Sequence, residues 1–587
     1  MSRFRVWAPA AEQVDLVVGQ ERGRQERRAM DPANGDSGWW ELDAPDLPAG
    51  TDYAFSLDGS DPRPDPRSRW QPHGVHGPSR LVEPVAPPGG SGWRGFHLPS
   101  AVLYELHIGT FTAEGTFDAA AERLDHLVEL GVTAVSLMPV NAFPGRHGWG
   151  YDGVALYAVH EPYGGPDGLR RFVEACHGRG LGVILDVVYN HLGPSGNYLR
   201  EFGPYFTHRH DTPWGAAVNF DDSGSDEVRR FFIDNALMWL RDYEIDGLRL
   251  DAVHAIVDTS AVHILEELAV EVEALAAKLG RPLWLIPESD LNDPRLLWSR
   301  ERGGFGLHAQ WSDDFHHALH AALTGESSGY YRDFGRVRDI ATALRSAYVY
   351  AGAHSRHRGR RHGRPAEGLS GHRFLGYIQN HDQVGNRAQG ERIGQLAGPE
   401  AQKVAAALVF TSPFIPMIFQ GEEWAASSPF QYFTDHEEEE LGQAVREGRR
   451  SEFAAFGWDP TDIPDPQNLE TFGRSKLPWE ERGSPLHEQV ERWYRSLIAF
   501  RRATPGLLDG RLDALKVWVD ERHRTLVLER GRVVVCCNLG EDERTLEPAS
   551  DSGALEVRLS SRDGVRMEEG RVALPGPSTA ILLRTSS

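Results

Sequence analysis

Eight short apolar segments alternate with helical segments from about residue 98 onward, and this alternation constrains the fold of the 587-residue chain most strongly. The helical segments carry apolar residues at helical spacing, as at Leu169, Phe172 and Cys176. Strands that alternate with helices are typical of a parallel sheet, and eight such units predict an α/β fold of the (β/α)8 TIM barrel type. The apolar segments are Val102–Ile108, Ala134–Val140, Gly182–Val188, Gly247–Val253, Pro282–Pro287, Phe305–Trp311, Phe374–Gln379 and Pro413–Phe419.

The sequences on either side of this alternation follow a strand pattern. Residues 1–60 contain short β-type runs bounded by Pro, Gly and Asp, which predict a small β-sandwich. Residues 61–93 are rich in proline and predict an irregular connector. After Pro505 the β-type runs return and predict a C-terminal β domain. We expect three domains, with the sandwich and connector at 1–97, the barrel at 98–504 with an insertion at 190–225, and a C-terminal β-sandwich at 505–587.

Composition and charge exclude several classes of protein. The chain has 62 Lys and Arg against 85 Asp and Glu, and its net charge of −23 argues against nucleic acid or an anionic membrane as a partner. No apolar run reaches the length of about 18 residues that a membrane span needs, and the start MSRFRVWAPA lacks the apolar region of a secretory signal. Three cysteines are too few for a disulfide scaffold. We therefore expect a cytoplasmic protein.

Carboxylates follow four of the predicted strands, at the barrel face where enzymes of this fold have their active sites. Carboxylates that converge in a buried place repel each other, so four of them at four strand ends indicate a functional site. The four segments are DVVYNH (186–191), GLRLDAVH (247–254), PESD (287–290) and QNHD (379–382).

Asp251 and Glu288 are predicted to lie on adjacent strands. Glycoside hydrolysis requires two carboxylates that flank the scissile bond, and a close pair, about 5–5.5 Å apart, favours a retaining mechanism. Arg249 precedes Asp251 by two residues, so it points to the same face of its strand and should keep Asp251 ionised. Asp382 is the third acid, and we expect it to bind sugar hydroxyls and favour ring distortion.

These four segments resemble the motif regions of the α-amylase superfamily of retaining α-glucan enzymes in order and in spacing. The resemblance implies that Asp251 is the nucleophile, Glu288 the acid/base and Asp382 a stabiliser of the transition state. It also implies an α-glucan substrate and a subsite for the attacked glucose. The side chains that the resemblance places in this subsite are His191, Arg249, His381 and Tyr151, the last as a stacking ring.

Further segments resemble the maltooligosyltrehalose trehalohydrolase family over nearly the full chain. They include HIGTFTAEGTF, YNHLGPSGNYL, QNHDQVGNRAQGER, FQGEEW and VREGRRSEF. This resemblance implies hydrolysis of the α-1,4 bond next to the terminal trehalose of maltooligosyl trehalose, with release of trehalose. It also implies functional pairing with an enzyme that forms maltooligosyl trehalose.

Two alternatives remain at the level of the sequence. A glycogen-branching or debranching enzyme would share the barrel and the N-terminal sandwich, although QNHDQVGN is not expected of a branching enzyme. A relative that binds carbohydrate without turning it over would have lost the nucleophile or the acid, and both Asp251 and Glu288 are present.

Contacts to the released disaccharide are expected on loops at the same barrel face. A ligand rich in hydroxyl groups calls for an aromatic face together with polar acceptors. We expect at least two members of one group to touch it, namely Trp149, His254, Asp290, Glu422 and Glu423.

We expect no metal and no cofactor. Amylases of the superfamily often use an asparagine at the position of Asn190 as a calcium ligand, but a calcium site takes about six to eight oxygen ligands. The insertion at 190–225 offers no second set of ligands, so Asn190 is expected to hydrogen-bond within the site. His208 and His210 are expected to be solvated residues of a polar loop, although such a pair also occurs in zinc sites.

Overall fold

The computed structural model describes residues 3–19, 25–33, 38–83, 92–454, 463–548 and 554–585. Two antiparallel sheets, ordered β1-β5-β4 and β3-β2-β6-β7, form the N-terminal part. Their strands are β1 (Arg3–Trp7), β2 (Val14–Val18), β3 (Glu26–Ala29), β4 (Asp31–Pro32), β5 (Trp39–Asp43), β6 (Asp52–Leu57) and β7 (Ser79–Arg80). Phe4, Leu16 and Phe55 are buried in a shared core, as a sandwich requires.

Eight parallel strands form the central sheet, in the order β16-β15-β12-β9-β8-β21-β20-β17. The strands of this region are β8 (Leu103–Leu106), β9 (Ala134–Leu137), β10 (Asn141–Ala142), β11 (Ala155–Val159), β12 (Gly182–Val187), β13 (Phe206–Thr212), β14 (Gly215–Val218), β15 (Gly247–Leu250), β16 (Trp284–Pro287), β17 (Gln310–Trp311), β18 (His354–Ser355), β19 (Arg360–Arg361), β20 (Phe374–Gly376) and β21 (Ile415–Phe419). The backbone N–H of His308 donates to the carbonyl of Leu285 at 2.9 Å, which brings the two edges of the sheet together. Each predicted apolar segment contains one of the eight strands, and the predicted (β/α)8 barrel is confirmed.

Helices surround the barrel and connect its strands. The predicted stripe of Leu169, Phe172 and Cys176 lies buried on α4. The helices are α1 (Ile108–Phe111), α2 (Phe117–Ala121), α3 (Leu124–Leu130), α4 (Gly165–Gly178), α5 (Leu199–Phe202), α6 (Ser225–Asp242), α7 (Ile264–Leu279), α8 (Asp313–Thr324), α9 (Val337–Ser346), α10 (His381–Gly385), α11 (Ile393–Leu396), α12 (Gly398–Thr411), α13 (Glu439–Ala454), α14 (Leu469–Arg474) and α15 (Pro485–Ala503). Among the described residues, no helix combines the length and the apolar character that crossing a bilayer demands.

Two antiparallel sheets, ordered β22-β23-β24-β29-β26 and β25-β28-β27, form the C-terminal part. Arg530 of these sheets donates to the carbonyl of Ser412 at 2.6 Å, which joins the sheets to the barrel, and Arg501 of α15 donates to the same carbonyl at 2.9 Å. The strands are β22 (Leu515–Asp520), β23 (Thr525–Arg530), β24 (Val533–Asn538), β25 (Arg544–Leu546), β26 (Leu555–Ser560), β27 (Arg566–Glu568), β28 (Arg571–Leu574) and β29 (Ser578–Arg584).

Candidate active site

A cavity of about 940 Å³ opens where the loops that follow the barrel strands meet. The carboxylates of Asp251, Glu288 and Asp382 line it together, although they come from three distant parts of the chain. Five aromatic side chains form much of the remaining wall. They are Trp149, Tyr151, Phe206, Trp214 and Tyr432.

Arg249 lies at the centre of the acidic site. In the sheet it is paired with Asp186 of β12 on one side and with Ile286 of β16 on the other. Its Nη1 donates to Asp186 Oδ2 and to Asp251 Oδ1, at 2.7 Å each, and its Nη2 lies 2.8 Å from Glu288 Oε2. Asp251 and Glu288 therefore approach two nitrogens of the same guanidinium, which places them side by side.

Asp251 is stabilised as a carboxylate. Burial alone would raise its pKa, but the charge of Arg249, the neighbouring His191 and the amide of Asn190 lower the pKa below its usual value. Asn190 Nδ2 donates to Asp251 Oδ2 at 2.7 Å and to the Asp251 carbonyl at 2.8 Å. The prediction that Asn190 hydrogen-bonds within the site is thus confirmed.

Glu288 has the opposite protonation preference. Burial raises its pKa well above the usual value; the charge of Arg249 opposes this rise, and the negative charges of Asp251 and Asp382 add to it. The backbone N–H of Ala252 donates to Glu288 Oε2 at 2.8 Å and orients the carboxyl group. Two adjacent carboxyl groups whose pKa values shift apart are the arrangement that divides the roles of acid and nucleophile.

His381 is held as a cation next to Asp382. Its Nδ1 lies 2.6 Å from Glu105 Oε1, its backbone N–H donates to Glu105 Oε2 at 3.0 Å, and its Nε2 lies 3.4 Å from Asp382 Oδ2. Burial lowers the pKa of His381, but Asp382 and Glu105 together raise it to about 9. Sequence reasoning missed Glu105, because a single acid inside an apolar strand segment carries no motif.

Tyr151 and Trp149 form one wall of the cavity. The hydroxyl of Tyr151 donates to Asp186 Oδ2 at 2.6 Å and lies 2.7 Å from His381 Nε2, so its ring is fixed from behind. Trp149 donates its indole N–H to the carbonyl of Gln431 at 2.9 Å. Both predicted aromatic residues therefore reach the cavity in fixed orientations.

The insertion after β12 places a tryptophan over the cavity. β13 and β14 form a hairpin, and Trp214 at its turn stacks on His191 with 4.5 Å between ring centroids and 7° between ring planes. Sequence reasoning missed Trp214, because nothing in the polar insertion indicates how far the hairpin folds back. His210 lies 3.1 Å from both carboxylate oxygens of Asp221.

His254 and Asp290 lie together at the loops that follow β15 and β16. His254 lines the cavity, and its Nε2 is 4.0 Å from Asp290 Oδ1. Asp290 Oδ2 is 3.2 Å from Arg358 Nη1, in the basic segment 354–364. The structure therefore brings these two predicted residues to one side of the site.

Glu422 and Glu423 do not face the cavity, contrary to the expectation from the sequence. Their side chains turn into the packing around the barrel and are 2% and 0% exposed. Glu422 accepts a hydrogen bond from Tyr494 of α15 at 2.9 Å, and Glu423 accepts one from Tyr104 at 3.0 Å. The short helical turn after β21 directs both carboxyl groups away from the ligand face.

Replacing Glu422 by glutamine should stabilise the protein at alkaline pH. Burial raises the pKa of Glu422 to about 8, and the nearby Glu423 adds to the effect. The folded protein therefore holds this proton more tightly than the unfolded chain, where the pKa is about 4.3, and it loses stability as the pH rises toward about 8. Thermal melts at about pH 5 and about pH 8.5 should favour the variant only at the higher pH. An equal change in melting temperature at both pH values would contradict the claim that the raised pKa of Glu422 lowers stability at alkaline pH.

Among the described residues, no group of three or more His, Cys, Asp or Glu side chains is arranged so that it could bind a metal ion. Asn190 directs its amide nitrogen, a donor, at Asp251. This bond stabilises the carboxylate, and the other end of the amide, Oδ1, faces His191 Nδ1.

Two family models match the chain. One is described as alpha amylase, catalytic domain, and matches residues 88–212, and the other is carbohydrate-binding module 48 (isoamylase N-terminal domain), matching residues 1–72. The malto-oligosyltrehalose trehalohydrolase of Arthrobacter ramosus is 53% identical over 99% of this chain and 99% of its own length. That of Rhizobium sp. (strain M-11) is 50% identical over 99% of this chain and 97% of its own length. The chain belongs to the malto-oligosyltrehalose trehalohydrolase family.

The chain is also similar to two solved structures and, over less of its length, to a branching enzyme. The crystal structure of a Salmonella typhimurium protein named as an alpha amylase has a TM-score of 0.89 and 39% identity, with 99% of this chain and 97% of that chain covered. A pullulanase from Anoxybacillus sp. LM18-11 shares only the fold, at a TM-score of 0.72 and 18% identity over 99% of this chain and 86% of its own. A 1,4-alpha-glucan branching enzyme of Corynebacterium jeikeium is 34% identical over only 43% of this chain and 37% of its own length, so the branching alternative has less support.

Proposed function

We propose that this protein is a retaining glycoside hydrolase that cleaves the α-1,4-glucosidic bond next to the terminal trehalose of maltooligosyl trehalose and releases trehalose. One observation carries the chemistry: Asp251 and Glu288 contact the same guanidinium, and their pKa values shift in opposite directions. The trehalohydrolase relatives, which match over almost the whole chain, support the choice of substrate.

In the first step, Asp251 attacks the anomeric carbon of the glucose whose bond is cleaved. Glu288 gives its proton to the glycosidic oxygen, so trehalose leaves as a neutral molecule and a covalent glycosyl ester remains on Asp251. Arg249 keeps Asp251 ionised before the attack. The raised pKa of Glu288 keeps its proton available at neutral pH.

In the second step, Glu288 acts as a base. It takes a proton from water, the water oxygen attacks the anomeric carbon, and the bond to Asp251 breaks. Two inversions at the same carbon retain its configuration. The maltooligosaccharide product leaves, and both carboxyl groups return to their initial protonation states.

The remaining side chains of the site would hold the attacked glucose. Asp382 offers an acceptor to sugar hydroxyls, and His381, protonated on both ring nitrogens, lies buried behind Asp382 and Tyr151. The ring of Tyr151 and the stacked ring of His191 supply flat walls for the sugar. Asp382 would favour the distorted ring of the transition state.

We assign the trehalose side to the loops after β15 and β16. His254 at the cavity wall and Asp290 beside it combine a ring with a carboxylate, as a disaccharide rich in hydroxyls requires. Trp149 would add an aromatic wall to the cavity. Glu422 and Glu423 have no part in this assignment, because both are buried in the packing of the barrel.

The substrate also points to a partner reaction. An enzyme that converts the reducing end of a maltooligosaccharide into an α,α-1,1-linked glucose must supply maltooligosyl trehalose, and we propose functional pairing with such an enzyme. We propose a cytoplasmic location, which is consistent with three free, buried cysteines in a reducing compartment.

Product analysis tests this function directly. The protein is incubated with maltooligosyl trehalose and, separately, with plain maltooligosaccharide of the same length. Free trehalose from the first substrate at a much higher kcat/KM supports the proposal, whereas new α-1,6 links would indicate a branching enzyme. Proton NMR of the first maltooligosaccharide formed should show the α-anomer, and an initial β-anomer would indicate inversion.

The pH dependence of kcat/KM should be bell-shaped. Asp251 must be ionised and its pKa is lowered, so activity should persist down to about pH 4, near the usual pKa of an aspartic acid. Glu288 must be protonated and its pKa is raised, so activity should be lost on the alkaline side as Glu288 ionises. Activity that stays flat up to about pH 9, with chemistry limiting the rate, would contradict the assignment of Glu288.

A further inference from the structure

Helix α13 brings Arg449 to the wall of the catalytic cavity. This residue belongs to the segment VREGRRSEF, which the proposed chemistry does not use. Its guanidinium carbon lies 4.6 Å from the centre of the Tyr432 ring, and both residues line the cavity. Tyr432 in turn meets Trp149 edge to face at 5.1 Å, so Arg449 is part of a continuous wall.

Arg449 also bonds to the helix that carries Asp382. Its Nη2 donates to the carbonyl of Gly385 at 2.6 Å, and its Nη1 donates to Asn386 Oδ1 at 3.0 Å. Asn386 donates its backbone N–H to the carbonyl of Asp382 at 2.8 Å, and its Nδ2 lies 3.4 Å from Asp382 Oδ1. One asparagine therefore connects the guanidinium of Arg449 to the carboxylate of Asp382.

Helix α10 depends on such outside contacts. It spans only His381–Gly385, so few of its backbone groups have partners within the helix. It is also pressed against Trp149, since a Cβ atom at Gly385 would lie 2.1 Å from Trp149 Cζ2. A cationic donor at the C-terminal end of a helix satisfies free carbonyls and suits the helix dipole. Trp149 and Arg449 together thus hold α10 in place.

We propose that Arg449 is a positioning residue that sets the place of Asp382 through Asn386 and the C-terminal end of α10. The inference rests on the proposed function, because it concerns the same site and the role given there to Asp382. Arg449 takes no part in bond making or breaking. It acts on the rate because an acid displaced by about 1 Å no longer matches the transition state.

The test compares Arg449→Met with Arg449→Lys and with the control Arg446→Met. Arg446 lies on the same helix but pairs with Asp465 at 2.9 Å, so its loss should leave turnover within about twofold. Arg449→Met should lower kcat about 10- to 100-fold with KM changed less than about threefold. Lysine cannot form the two bonds at once and should give an intermediate kcat. A rise in KM with kcat unchanged would overturn the proposal and make Arg449 a substrate-binding residue.

A second measurement separates positioning from general loss of structure. In the Asp382→Asn background, the change Arg449→Met should cost less than about twofold in kcat, because residues that act through one another are not additive. Full additivity of the two losses would overturn the proposal. Melting temperatures equal to that of the wild type would show that the variants are folded when their kcat values are compared.

A crystal structure of the Arg449→Met variant keeps this test independent of the substrate. The carboxylate of Asp382 should move away from His381 Nε2, which lies 3.4 Å from it in the wild type. An unchanged Asp382 overturns the positioning role whatever the substrate is. If the wild type releases no trehalose but the Asp382 carboxylate moves in the variant, the proposed function fails and the positioning role stands.

Discussion

Replacing Asp251 by asparagine should lower kcat about 10³-fold or more, while the protein remains folded. The variant loses the atom that attacks the anomeric carbon, and the adjacent Glu288 cannot replace it, because its raised pKa keeps it protonated. Asparagine keeps the shape of the side chain, and Arg249 retains its bond to Asp186. Steady-state rates with maltooligosyl trehalose and a thermal melt check both parts of this expectation.

The control for Asp251→Asn is Asp118→Asn. Asp118 lies on α2 in an exposed ion pair with Arg171, and its replacement should leave turnover unchanged. A rate for Asp251→Asn within about tenfold of the wild type corresponds to only about 1.4 kcal/mol of barrier and would remove Asp251 from the role of nucleophile.

Replacing Glu288 by glutamine should produce a loss that depends on the leaving group. With maltooligosyl trehalose, kcat should fall about 10²- to 10⁴-fold, since the departing oxygen no longer receives a proton. With an α-maltosyl fluoride, fluoride leaves without protonation, so the first-turnover release of fluoride should fall less than about tenfold. Rapid-mixing measurements of fluoride and of trehalose separate the two effects.

The Asp251→Asn variant serves as the comparison for Glu288→Gln. The Asp251→Asn variant lacks the nucleophile, so its turnover of both substrates should fall. The Glu288→Gln variant lacks only the acid, so its turnover of the maltosyl fluoride should fall much less. The alkaline limb of the pH profile should also disappear in any residual activity of Glu288→Gln. Equal losses on both substrates would show that Glu288 does not protonate the leaving group.

Much of this site was predictable because it lies at strand ends. The order of the apolar segments indicated a barrel, and the fold confirms it. In a barrel all carboxyl ends of the strands meet at one face, so residues directly after the strands must converge. Asp251, Glu288 and Asp382 do converge on one cavity. The catalytic roles of these residues stay predictions for the variants above to test.

The sequence-based prediction was wrong for the two acids after β21, where the chain enters a short helical turn. Glu422 and Glu423 follow β21 as Asp290 follows β16, yet the short helical turn that contains them directs both side chains into the packing around the barrel. That direction depends on Tyr494 and Tyr104, which lie far away in the sequence and supply the hydrogen bonds. Spacing along the chain contains no information on such partners.

The sequence by itself determined the barrel, the flanking β regions and the acids at the strand ends, because periodicity and short motifs are local properties of the chain. Only the tertiary structure decided which groups support those acids: Glu105 behind His381, Trp214 over His191, and Arg449 at the end of α10. Each comes from a separate segment, and each acts through a contact that exists only once the barrel has closed. The tertiary structure also decided the pKa shifts of Asp251 and Glu288, because burial and neighbouring charge arise from packing in three dimensions.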